Sequence, residues 1–210
     1  LGLAYEQQNK LTDAESCYRR LTDLNPQDAE ALHNLGNVVL RQGDRAIAIA
    51  CYRKALEAKP DFEPSHHSLG ALLQQSGELV ESENIWRRLL NIRPDCSEAS
   101  VSLARVLQQQ GRRAEAEVSF RNAVELDSQS YVGYFQRGNY LGELGKYVDA
   151  EHDFRKAIEI EPTAVEVWNN LGANLKEQSR LVEGESCVRE ALRLNPKFVP
   201  AEANLGIILL

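Results

Sequence analysis

The sequence of 210 residues contains no methionine, two tryptophans and four cysteines. Four thiols in a chain of this size do not make a disulfide-stapled secreted fold. No apolar run approaches the roughly 18 residues that a membrane span needs, so membrane insertion is not expected. Positive charge is in deficit: 24 Lys and Arg against 31 Asp and Glu leave a formal net charge of -7. Nucleic-acid-binding chains usually show a basic face, so nucleic acid is not expected as a partner. No phosphate-cradling glycine loop, nucleophile elbow or paired catalytic carboxylate appears, so neither catalysis nor a cofactor is expected. No signal-peptide pattern opens the chain at Leu1, and the missing methionine suggests a piece of a longer protein. Hydrophobic residues make up 43%, a proportion that can fold rather than stay disordered.

What is present is a period. Pro26, Pro60, Pro94, Pro162 and Pro196 are spaced by 34, 34, 68 and 34 residues, with Ser128 in the one vacancy. A fixed period of this length marks a repeat array. Other columns obey it: Gly2, Gly36, Gly70, Ala104, Gly138, Gly172 and Gly206, each preceded by Leu except at Arg137. A second small column is Ala14, Ala48, Ser82, Ala116, Ala150 and Gly184; four residues on come Tyr18, Tyr52, Trp86, Phe120, Phe154 and Val188. A turn column reads Asn9, Gly43, Gly77, Gly111, Gly145 and Ser179.

Apolar residues within each period recur at helical spacing, as in Leu32, Leu35, Val39 and then Ile47, Cys51, Ala55, Ala58. Glycine inside a helix costs about 1 kcal/mol relative to Ala. Its recurrence there makes sense if a second helix approaches where no Cβ holds it off. The second small column would accept that helix and the aromatic fill the gap beside it. The turn column ends the first helix and the proline ends the second. A polar residue after the proline, such as Asp61 or Asp95, is expected to cap the next helix.

This set of columns resembles the tetratricopeptide repeat (TPR) family over all 210 residues. The resemblance implies an all-α fold, an α-α superhelix built as a right-handed solenoid of 34-residue antiparallel helix pairs. Full repeats are expected at 29–62, 63–96, 97–130, 131–164 and 165–198, with partial repeats at 1–28 and 199–210. The repeat at 165–198 has Ser179 for the turn glycine and Val188 for the aromatic, so looser packing is expected there. The chain starts and stops inside apolar helices, ending Gly206-Ile207-Ile208-Leu209-Leu210. An excerpt of a longer array, with ends that self-associate, is the expectation.

The resemblance also implies that first helices line a concave groove and second helices form its back. One groove column is Asn34, Ser68, Ser102, Gln136, Asn170, Asn204; its neighbours include Asn37, Arg105 and Asn139, and His33, His67 and Asn169. Gln74, Gln108 and Lys176 lie deeper, with Glu30, Glu98 and Glu166 on the rim. An amide offers donor and acceptor together, which suits the backbone of an extended peptide. The series is similar to the asparagine ladder of O-linked N-acetylglucosamine transferases, interrupted by Ser68 and Ser102; the plain alternative is a solvated polar face. Asn139 and Asn170 match the two asparagines of the chaperone-binding carboxylate clamp, but Phe135, Pro200 and Asn204 stand where its basic residues are needed, so that clamp is not expected.

On the back runs Arg19, Arg53, Arg87, Arg121, Arg155, Arg189, five of them with Glu four residues before. That spacing supports the helix by a few tenths of a kcal/mol per pair; a basic ridge for phosphate or acidic partners is the less favoured reading. His33 and His67 lack a third ligand at metal-binding spacing, so no metal is expected. Cys17, Cys51 and Cys187 recur at one position on stacked helices about 10 Å apart, beyond disulfide reach. Reduced thiols fit a reducing compartment, and a cytoplasmic location is expected. The expected function is a non-catalytic scaffold binding a protein or extended peptide in its groove. The alternative is the substrate-recruiting arm of a larger enzyme such as a glycosyltransferase.

Overall fold

The computed structural model describes residues 1–209, all in helices and short connections. The first unit, Leu1–Ala116, holds α1 (Gly2–Gln7), α2 (Leu11–Leu24), α3 (Ala29–Arg41), α4 (Arg45–Ala58), α5 (Glu63–Gln75), α6 (Leu79–Ile92) and α7 (Ser97–Gln109). Helix α8 (Arg113–Leu126) begins in it and continues into the second unit, which runs from Glu117 onward. There follow α9 (Tyr131–Glu143), α10 (Tyr147–Ile160), α11 (Val165–Glu177), α12 (Leu181–Leu194) and α13 (Val199–Ile208). The fold is all-α, a stack of helix pairs in each unit.

The turn column explains how each pair reverses. Gly43, Gly77, Gly111 and Gly145 have φ of 97°, 80°, 77° and 73°, left-handed backbone that glycine enters without a Cβ penalty. Around the first, Gly43 N–H donates to Leu40 O and Asp44 N–H to Val39 O, both at 3.0 Å, which satisfies the last carbonyls of α3. Asn9 and Ser179 adopt the same region at 56° and 62°.

The caps differ from the sequence expectation. The cap position lies two residues after the proline column rather than one. Asp28 accepts from Ala31 N–H at 3.0 Å and Ser130 from Gly133 N–H at 3.2 Å. At α5 and α7 the position is Phe62 and Cys96, which make no side-chain cap. Asp95 instead pairs with Arg93 at 2.9 Å. Phe62 packs against the core of the first unit, so burial took the position that a cap would occupy.

The small column works as a seat for the aromatic. A Cβ at Gly36 would lie 2.6 Å from the Tyr52 ring, at Gly70 2.6 Å from Trp86, and at Gly138 2.8 Å from Phe154. The repeat with Val188 reverses the expectation of looseness. There the Cβ would meet Val188 Cγ2 at 2.5 Å and the backbone oxygen of Gly184 at 2.9 Å. Two glycines facing each other, with a short side chain beside them, let the backbones of α11 and α12 close together.

Several buried side chains are polar, and His66 is one of them. His66 is fully buried on α5, its Nδ1 within 3.2 Å of Phe62 O and its Nε2 without a hydrogen-bond partner. Burial pushes the imidazole below its ordinary pKa of 6.5, helped by Arg88 and His67 and opposed by the Phe62 carbonyl and Glu63. Above that value folded and unfolded states are both neutral. Below it the unfolded chain takes a proton that the folded unit resists, so stability falls as pH drops. The equivalent residue on α3 is Leu32. His66→Leu is expected to stabilise the first unit by about 1 kcal/mol or more, by removing an unsatisfied buried group. Amide hydrogen exchange over α5 and α6 at about pH 7 and 5 should show the acid loss of protection shrinking in the variant; an equal loss in both would refute the assignment.

Candidate functional site

In the first unit the face of α3, α5 and α7 carries the amide and imidazole columns, and much of their polarity is consumed internally. The fully buried Tyr52 donates its hydroxyl to Asn37 Oδ1 at 2.8 Å. Burial raises its phenol pKa to about 12. Asn37 Nδ2 donates to His33 Nε2 at 3.1 Å, so the ring proton sits on Nδ1 and donates to Ser65 Oγ at 3.1 Å. Burial lowers the pKa of His33, which favours this neutral tautomer. His33 also lies edge-on to Phe62, with centroids 5.6 Å apart. Both nitrogens of His33, and the Asn37 oxygen with one of its N–H groups, are thus committed inside the unit. His67 packs edge-on against Trp86 at 5.4 Å, and Gln74 donates to Gln109 at 3.2 Å. Asn34 is half-buried, and Arg105 is exposed with no ion pair among the described residues.

The second unit does something different with the same columns. Asn204 Nδ2 donates to Asn169 Oδ1 at 2.8 Å, Asn169 Nδ2 to Asn170 Oδ1 at 3.0 Å, and Asn170 Nδ2 to Asn139 Oδ1 at 2.8 Å. Four amides from α13, α11 and α9 thus form one directed chain. Asn169 is buried at 6% exposure and serves as the internal link; Asn139, Asn170 and Asn204 are half-buried, with unused donors on Asn139 and Asn170 and an unused acceptor on Asn204. Gln136 is half-buried on the same helix as Asn139, and Lys176 pairs with Glu177 at 2.8 Å. Asn169 thus joins Asn204 to Asn170 from a buried position.

Ser65 and Tyr52 belong to the first network although neither stands in a groove column. Asp153 stands in a second-helix column otherwise filled by Cys17, Cys51, Ile85, Ser119 and Cys187. Its partner Arg137 had been visible as a departure from Leu.

Among the described residues no group of three His, Cys, Asp or Glu side chains can hold a metal ion, and no helix is long and apolar enough to cross a membrane. Cys51 and Cys187 are buried free thiols, and burial raises the pKa of both.

Three family models described as tetratricopeptide repeat match residues 1–61, 101–126 and 131–164. No curated protein matches the chain. Among solved structures, a tetratricopeptide repeat protein from Parabacteroides merdae superposes with a TM-score of 0.83 at 18% identity, over 99% of this chain and 82% of that one. Pseudomonas aeruginosa pilF gives 0.78 at 19% identity, over 99% and 94%. YrrB, a TPR protein with an unusual peptide-binding site, gives 0.64 at 20% identity, over 89% and 96%. At these identities the likeness is one of fold.

Proposed function

We propose, for a chain that belongs to the tetratricopeptide repeat family, a non-catalytic binding role in which the first-helix face of the second unit holds an extended peptide by its backbone. The observation that carries this reading is the directed chain Asn204–Asn169–Asn170–Asn139. Each hydrogen bond within it holds an amide in one orientation, so the free donors and acceptor are set before a ligand arrives. That lowers the ordering entropy that binding must overcome. A peptide backbone alternates N–H and C=O and can bond to such amides whatever its side chains. The fold shared with YrrB is compatible with a peptide ligand.

The test is selection from a random-sequence peptide library on the wild-type chain, followed by affinity measurement on the Asn139→Ala/Asn170→Ala double variant. Loss of two pre-set amides is expected to weaken selected peptides about tenfold or more. Those peptides are expected to share little side-chain consensus. Unchanged affinity in a folded double variant refutes the site.

A further inference from the structure

A cleft of about 250 Å³ lies among α8, α9 and α10 of the second unit and shares no residue with the amide chain. Its floor is an ion pair: Arg137 Nε and Nη2 donate to the two oxygens of Asp153 at 2.6 and 2.7 Å. Asp153 is 1% exposed. Elsewhere in the chain the two positions are occupied by Leu and by Cys, Ile or Ser. A buried ion pair is no stronger than well-packed apolar residues of similar size, so stability gives no reason for the exchange. A guanidinium has five N–H groups in a planar fork. Asp153 takes two of them, and the Tyr134 ring, 5.7 Å from the guanidinium carbon, supports the plane.

Arg121 forms a wall of the same cleft. Every other arginine of its column has a carboxylate: Arg19 with Glu15 at 2.7 Å, Arg53 with Glu81 at 2.7 Å, Arg87 with Glu83 at 2.9 Å, Arg155 with Glu151 at 2.8 Å and Arg189 with Glu185 at 2.7 Å. The carboxylate one turn before Arg121 is Glu117, and Lys146 holds it at 3.0 Å. Arg121 is left without an ion pair among the described residues. His152 on α10 also lines the cleft, and so does the carboxylate of Asp149.

We propose that this cleft binds a phosphoryl group, with Arg121 and Arg137 as its guanidinium ligands and His152 as a third donor. Planar forks match phosphate oxygens two at a time. A dianion gains from both cations, whereas a carboxylate brings one charge. The cleft is smaller than sites for drug-sized ligands, and it fits the phosphoryl group with the first atoms of its carrier. Glu117 and Asp153 are neutralised by Lys146 and Arg137, so Asp149 is the one carboxylate that opposes the ligand.

Calorimetric titration with inorganic phosphate and with capped phosphoserine tests the site. Saturable binding of at least one is expected. Equal affinity assigns free phosphate as the ligand, and tighter binding of phosphoserine assigns a phosphorylated side chain. Arg121→Ala, an exposed change, is expected to weaken binding about tenfold. Arg137→Leu/Asp153→Ile, which restores residues the chain uses in its other repeats, is expected to do the same while remaining folded by circular dichroism. Asp149→Asn is expected to tighten binding. No saturable binding of either probe up to about 10 mM, an unchanged Kd in Arg121→Ala, or weaker binding in Asp149→Asn each overturns the proposal.

Discussion

Gly172→Ala is expected to destabilise the second unit by about 2 kcal/mol or more, despite the better helix propensity of alanine. The new methyl would sit 2.5 Å from Val188 Cγ2 and 2.9 Å from the Gly184 carbonyl oxygen. Val188 is fully buried, and a backbone oxygen inside a helix has no rotamer by which to escape. At Gly36 and Gly138 the obstacle is an aromatic ring edge, at 2.6 and 2.8 Å, which can shift by a small χ change. Those substitutions should cost less than Gly172→Ala. Gly206 has nothing within 4 Å of its Cβ position, so Gly206→Ala should leave stability unchanged or raise it by up to about 1 kcal/mol. Repeat arrays do not unfold as one two-state body. Amide hydrogen exchange over α11 and α12 is therefore the measurement. Equal protection in Gly172→Ala and Gly206→Ala would contradict the close backbone approach.

Arg137→Leu alone is expected to cost the second unit about 3–5 kcal/mol, because it strands a buried carboxylate. Asp153→Ile alone should cost less, since Arg137 is 22% exposed and its head group can turn toward water. The double change removes both charges and should return to within about 1 kcal/mol of wild type, or exceed it. The coupling is then a large non-additive term in a double-mutant cycle. Amide hydrogen exchange over α9 and α10 in the four proteins reads it locally. Additive losses would mean that the two side chains do not depend on each other.

The architecture was legible because each structural demand recurs every 34 residues. A left-handed turn needs Gly or its few substitutes, so the positions of Gly43, Gly77, Gly111 and Gly145 declared the reversals. The aromatic above each small residue declared which helices touch. What the columns could not convey is compensation between them. Val188 looked like a lost anchor, yet Gly184 changed with it and the helices closed together. The cap was misplaced by one residue because Phe62 and Cys96 hold a position where an oxygen-bearing side chain would be expected.

The candidate site was legible only as a polar face at helical period. Which amides bond to each other depends on contacts between residues 31 to 35 positions apart, such as Asn170 with Asn139 and Asn204 with Asn169. The withdrawal of His33 and Asn37 depends on a hydroxyl reaching up from the buried Tyr52. Asp153 carried a usable signal, a charge in a column of small and apolar residues, paired across one turn of the repeat with the equally exceptional Arg137.

The most direct measurement of the peptide-binding role is a nitrogen-15 correlation spectrum that resolves the side-chain amides, titrated with a library-selected peptide. Saturable shifts of the Nδ2 resonances of Asn139, Asn170 and Asn204 are expected at the concentration that halves free peptide. Saturable binding with these resonances unmoved, and shifts confined to second helices such as α10 and α12, would contradict that role.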